Sequence, residues 1–163
     1  MSQGRHAVLL QELTQLTTRA IEPLGLELVE LSLRGPSRRR VLRLDIDRAG
    51  PEGVRLEDCQ LASGEVGDAL DQVEILEDQY VLEISSPGID RPIETDDDIR
   101  RNTGRKVAVD WIDADESQRQ ITGLLVGGGT DWLEVRIDDG PEDEAIVRIA
   151  RDQIRLVRQD VSF

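Results

Sequence analysis

The chain has 163 residues and carries 34 Asp and Glu against 20 Lys and Arg, a formal net charge of −14. That length holds one ordinary domain or two small ones. The acidic surplus excludes a protein that coats bare RNA or DNA, which needs a basic surface, and it favours basic protein partners instead.

The first element is an amphipathic helix over residues 8–24. Leu9, Leu13, Leu16, Ala20 and Leu24 recur at three- and four-residue steps, and Pro23 and Gly25 punctuate its end. A strand follows over 26–33. Its alternation changes phase at Leu28-Val29, which predicts a bulge there. Gly35-Pro36-Ser37 makes the turn into a second strand over 41–47. In that strand Leu42, Leu44 and Ile46 alternate with Arg43, Asp45 and Asp47, so the hairpin is half buried. A Gly-Pro-Glu-Gly loop leads to a helix over about 56–73 whose buried stripe is Cys59, Ala62, Val66, Leu70 and Val73. Gly64 and Gly67 lie inside it at a cost of about 1 kcal/mol each, so packing must hold it. Residues 79–85 form a third strand, with Tyr80, Leu82 and Ile84 alternating.

Pro87-Gly88 suits the centre of a type II turn. After Pro92 the pattern changes. Thr95-Asp96-Asp97-Asp98 resembles a capping box opening a short helix that ends near Gly104. Five short alternating runs follow, at 107–111, 120–126, 132–137, 145–149 and 154–157, with glycine-rich or acidic turns between them; this spacing predicts a small barrel. The fold class is therefore α+β: an N-terminal α-β-β-α-β domain over residues 1–90, then a small β-barrel domain over 91–163.

The candidate binding residues fall in two places. Ser85, Ser86, Gly88, Asp90 and Arg91 surround the end of the third strand. Hydroxyls, a backbone N–H and a guanidinium in one corner suit a phosphate; the same residues also suit a rigid interdomain corner with Asp90 and Arg91 paired. Arg38, Arg39 and Arg40 form the densest basic cluster, at a hairpin turn, where they face either RNA backbone and acidic surfaces or merely solvent. Arg100, Arg101, Arg105 and Lys106 read as compensation for Asp96, Asp97 and Asp98.

No catalytic or metal constellation is expected. A single cysteine, Cys59, excludes an internal disulfide and multi-Cys zinc sites, and on an apolar helix stripe it behaves as a small hydrophobe. The single histidine, His6, sits in a terminus expected to fray. Asp45 and Asp47 read as a polar strand face rather than an acid–base pair. The aromatics are only Tyr80, Trp111, Trp132 and Phe163, a poor endowment for base stacking. With no apolar run of membrane or signal-peptide length, a cytoplasmic protein is expected.

Four stretches together resemble one family. They are Arg-Val-Leu-Arg-Leu-Asp-Ile-Asp (40–47), Gly-Val-Arg-Leu-Glu-Asp-Cys (53–59), Leu70-Asp71, and Leu-Glu-Ile-Ser-Ser-Pro-Gly-Ile-Asp-Arg-Pro-Ile (82–93). In this order they resemble the bacterial ribosome maturation factor RimP. The resemblance implies an α+β N-terminal domain and a C-terminal SH3-like barrel. It implies a non-enzymatic, cofactor-free, monomeric factor that binds the free, immature small ribosomal subunit and leaves before translation. The implied partners are a basic ribosomal protein of the decoding region and ribosomal RNA near the central pseudoknot, with no membrane or DNA. Ser85, Ser86, Gly88, Asp90 and Arg91 fall on the family motif.

Three departures weaken an electrostatic grip on RNA. Arg55 replaces a helix-capping Ser, Thr or Asn, Ser63-Gly64 replaces a Ser-Arg, and no basic tail follows the barrel. Two rival readings are a hydrolase using the clustered Asp residues and an Sm- or SH3-like RNA-binding adaptor not dedicated to ribosome assembly.

Overall fold

The computed structural model describes residues 2–36, 39–76, 79–88, 91–137 and 145–160. The chain divides into two units, Met1–Arg48 with Gly53–Pro87, and Ala49–Glu52 with Gly88–Phe163.

The first unit begins with helix α1, Ser2–Ile21. Leu13 and Ile21 are fully buried on one stripe, and between them the buried Thr17 hydroxyl donates to the Leu13 carbonyl at 2.7 Å. The helix starts six residues before the expected position, because apolar periodicity marks only the part that packs. It ends earlier as well, in a 3-10 turn, Glu22–Leu24, closed by Gly25 at φ +75°. Strands β1 (Glu27–Arg34) and β2 (Arg40–Asp47) pair antiparallel. Leu28 faces Ile46 and Leu31 faces Leu44, with a register shift between Leu28 and Glu30. Val29 is the extra residue, so the predicted bulge is present, and it returns Leu31 and Leu33 to the core side.

Helix α2 (Leu56–Val73) carries the chain to strand β3 (Tyr80–Ser85), which pairs parallel with β2. The sheet order is β1-β2-β3. Leu42, Leu44 and Ile46 of β2 meet Leu13 and Ile21 of α1 and Ala62, Val66 and Leu70 of α2 in one core. Burial of Val66 and Leu70 contributes roughly 1.5–3 kcal/mol each, which outweighs the two helix glycines. Val73, expected on the buried stripe, is 49% exposed. It is the last residue of α2, and Ile75 and Leu76 beyond the helix end pack on the core in its place.

Arg55 offers no acceptor at the start of α2. Asp58 covers that end instead: its carboxylate accepts the Arg55 N–H at 2.9 Å and the Arg48 guanidinium at 2.9 Å. These two contacts, the Arg55 N–H first, hold the Asp58 carboxyl below its ordinary range.

The second unit opens with α3 (Asp96–Asn102) and continues through β4 (Lys106–Ile112), β5 (Gln118–Gly128), β6 (Trp132–Ile137), β7 (Ala145–Ala150) and β8 (Ile154–Gln159). The sheet is antiparallel, in the order β7-β6-β5-β4-β8. Laid flat, it would hold its edges about 19 Å apart. Yet one 3-10 turn, Arg151–Gln153, joins the two edge strands, a reach of at most about 14 Å. The sheet is therefore rolled. It does not close into the expected barrel, because β7 pairs only with β6, and the outer edge of β8 is met by the Ile93 N–H, which donates to the Val157 carbonyl at 2.8 Å.

The bend lies in β5, an eleven-residue strand with a register shift between Leu125 and Gly127. A side chain on Gly123 would collide with the Arg136 carbonyl oxygen of β6, so only glycine fits this corner. Loop 49–52 completes the unit. The Gly50 N–H donates to the Arg101 carbonyl at 3.1 Å, and the Arg105 Nε donates to the Gly50 carbonyl at 2.7 Å.

Asp98 organises α3. It forms the predicted capping box with Thr95: Asp98 N–H to Thr95 Oγ1 at 3.0 Å, and Thr95 N–H to Asp98 Oδ2 at 3.1 Å. The Glu94 N–H donates to the same oxygen at 3.1 Å, and Arg101 pairs with Oδ1. Both side chains of the pair are 8% exposed. Burial pushes the Asp98 carboxyl up, but the Thr95 and Glu94 N–H groups, the Thr95 side chain and Arg101 outweigh it and hold it low.

These contacts carry three stability predictions. Both tryptophans, Trp111 and Trp132, lie in the second unit, so their fluorescence reports on it alone. Gly123→Ala is expected to shift the urea transition seen by that fluorescence downward by about 2 kcal/mol or more. Gly64→Ala, whose added carbon meets nothing within 4 Å, is expected to raise the stability of the first unit by about 0.5–1 kcal/mol in helical circular dichroism. For Asp98, the folded pKa lies below the unfolded value of about 3.9. Its contribution is therefore present above that value and lost as pH falls through the lower folded one. Asp98→Ala is expected to cost about 3 kcal/mol at neutral pH and to flatten the acid limb of the fluorescence transition below about pH 4. An unchanged acid limb would refute that assignment.

Candidate functional site

Ser85 ends β3 opposite Asp45 of β2 and is half buried. Its hydroxyl donates to the Ser86 carbonyl at 3.2 Å, so it is turned onto its own chain. Ser86 and Gly88 are exposed and Arg91 is half buried. Ser85, Ser86 and Pro87 close the first unit; Gly88 and Arg91 open the second. Asp90 and Arg38 lie outside the described residues, and the proposed Asp90–Arg91 pairing lies there with them.

The expected type II turn centred on Pro87-Gly88 is not formed. Gly88 does not take the left-handed backbone that such a turn requires at its third residue. The hydrogen bond instead runs from the Arg91 N–H to the Gly88 carbonyl at 3.0 Å. A side-chain carbon on Gly88 would meet nothing within 4 Å. Neither backbone geometry nor intramolecular packing requires glycine here, so the bare backbone is available for close approach from outside.

The hairpin residues separate. Gly35 sits at φ +89°, and a Cβ there would lie 2.5 Å from the Arg39 carbonyl oxygen, so the tight turn requires glycine. The Arg39 N–H donates to the Pro36 carbonyl at 2.8 Å, and its side chain is exposed. Arg40 is half buried and falls on the strand face of Leu42 and Leu44, the helix-covered face. There it lines a groove with Arg5 and His6 of α1. His6, expected in a frayed terminus, lies within α1, which is helical from Ser2. The signal available in the sequence was the absence of Asp and Glu from residues 2–11.

The other basic group is held in internal contacts, but only Arg100 and Arg101 compensate the Asp96 to Asp98 run as expected; Arg105 and Lys106 meet other partners. Arg100 pairs with Asp97 at 3.5 Å, Arg101 with Asp98, and Lys106 with Asp160 at 3.7 Å. Arg105 donates to Gly50 and Asn102. The carboxylates on β2 are similarly engaged: Asp45 accepts from Arg43 at 3.4 Å, and Asp47 accepts the Arg48 N–H at 2.8 Å. Among the described residues, no group of three His, Cys, Asp or Glu is placed to hold a metal ion. Cys59 is half buried; burial, then the Asp58 charge, pushes its thiol up, away from the reactive thiolate.

Trp132 is half buried, and the Arg148 guanidinium lies 4.2 Å from its ring centroid and covers one face. Glu134 holds that guanidinium in place at 2.9 Å.

The structure does not bring the two candidate groups together: Ser85 ends β3 opposite Asp45, whereas the arginine-bearing turn precedes Arg40, which pairs with Tyr80 at the opposite end of the three-stranded sheet. Residues 16–90, which span most of the first unit, match the family model of the RimP N-terminal domain. Through that unit the chain belongs to the RimP family of ribosome maturation factors.

Proposed function

We propose that this chain is an assembly factor for the small ribosomal subunit, bound to the free, immature particle and released before translation. The carrying observation is the RimP N-terminal domain over residues 16–90, which contains most of the Ser85 to Arg91 corner. The mechanism is conformational chaperoning without covalent chemistry or a cofactor. The factor binds an immature subunit conformation more tightly than the mature one, and this difference in affinity alone shifts the population and then releases the factor.

The partner that best fits a chain at −14 is a basic ribosomal protein of the decoding region, with RNA near the central pseudoknot in a lesser role. The second unit supports the SH3-like reading through its rolled five-stranded antiparallel sheet, whose last two strands are joined by a 3-10 turn. A cytoplasmic location accords with this role, and among the described residues no helix is long and apolar enough to cross a membrane. The alternative, a general Sm-like RNA adaptor, is opposed by the net charge and by the Arg148 cover on Trp132.

Co-sedimentation with immature small subunits, mature small subunits, large subunits and assembled ribosomes tests this reading. Binding is expected to free small subunits only, and more tightly to the immature particle; equal affinity for immature and mature particles would refute the mechanism. Gly88→Ala is expected to leave the unfolding transition unchanged while weakening subunit binding about tenfold, a loss of about 1.4 kcal/mol. Arg91→Ala is expected to weaken binding at least as much.

A further inference from the structure

The first two turns of α1 contribute nothing to the core. Residues 3–8 are all exposed, and the packed stripe begins at Leu9. A segment this short is marginal as a helix by itself, and it also contains Gly4. It is helical as an extension of the packed part, and it runs beyond the core as one wall of a groove. The opposite wall is the start of β2. Ala7, Leu9 and Leu10 give the groove its apolar surface, while Gln3, Arg5, His6 and Arg40 supply its polar groups.

Among the described residues, no carboxylate lines this groove. That is unusual for a chain with 34 acids and 20 bases. It follows from α1 itself, which carries no Asp or Glu before Glu12. The net charge of the whole chain opposes an anionic partner, but only at long range. At physiological ionic strength, charges beyond about 8 Å are largely screened, so the local cations dominate at contact.

We propose that this groove is a docking site for an acidic amphipathic segment of a partner protein. The apolar strip takes aliphatic side chains spaced along one face of that segment. Arg5 and Arg40 take the flanking carboxylates, for which the guanidinium fork is the matching donor. Nucleic acid fits less well. A phosphate backbone leaves the apolar strip unused, and no aromatic side chain lines the groove to stack a base. The proposal is independent of the ribosomal reading, which rests on the corner around Gly88 and on the domain match.

The test uses the full chain and fluorescence anisotropy. One probe is a labelled peptide of about twelve residues built only from Leu and Glu, with the leucines at helical spacing. Its controls are the same peptide with every Glu replaced by Gln, the same peptide with every Leu replaced by Ser, and an oligouridine of similar length. The Leu–Glu peptide is expected to bind at about 50 mM salt, to weaken at about 300 mM, and to bind about tenfold more tightly than any control. Arg5→Glu with Arg40→Glu is expected to reduce its affinity at least about tenfold. Arg5→Glu alone, on an exposed turn that contributes nothing to the core, is expected to give a smaller loss with the unfolding transition unchanged. Three results would each overturn the proposal: no binding of the Leu–Glu peptide, binding insensitive to both substitutions, or tighter binding of the oligouridine. Small-subunit co-sedimentation of the Arg5→Glu variant at wild-type level would leave the ribosomal reading standing whichever way the peptide result falls.

Discussion

The strict two-residue alternation of β2 governs the first unit. Leu42, Leu44 and Ile46 are its fully buried side chains, and both helices pack against them. Because the side-chain period is two, a slip of one residue would turn all three outward. The register of both neighbours is therefore set by this strand. β1 meets it only by carrying an extra residue at Val29, and β3 meets it in parallel through the α2 crossover. The same alternation places Arg40 on the helix-covered face at its open end, and leaves Arg43 and Asp45 on the face where Glu83 and Val81 are exposed.

The second unit depends on different physics. Its sheet has to roll within five short strands, and the device is a long strand with a bulge and a glycine pressed against a neighbouring carbonyl. Its short helix would not stand by itself. It is held by one buried carboxylate that accepts two backbone N–H groups and pairs with Arg101. Asn102 extends this network, donating to the Asp98 carbonyl and accepting from Arg105 and Gln159.

This internal use of charge narrows the functional question. Many of the conspicuous carboxylates and guanidinium groups are occupied in caps and ion pairs. What remains for partners is of another kind: a corner with an unhindered glycine, and a groove with cations on an apolar strip. The proposed subunit binding rests on the first of these and the proposed peptide docking on the second, in a protein whose family concerns ribosome maturation.

The elements themselves were legible because they are written in local periodicity. The β2 alternation, the phase change at Leu28-Val29, the Thr95 capping box and the five late strands are all short-range patterns, and each is present. Other features depend on residues far apart in the chain. Gly50 reaches Arg105 across 55 positions, Ile93 covers the edge of β8 where a barrel seam was expected, and Asp58 replaces the missing cap at Arg55 with help from Arg48. The groove joins Arg5 and His6 to Arg40 through the packing of α1 on the sheet, which no local window contains. Sequence alone thus determined which segments are helix and strand and which face of each is apolar, since these follow from near-neighbour spacing. Tertiary structure alone decided which polar groups are spent on the fold and which face outward, since that depends on what each side chain meets after the chain has folded back on itself.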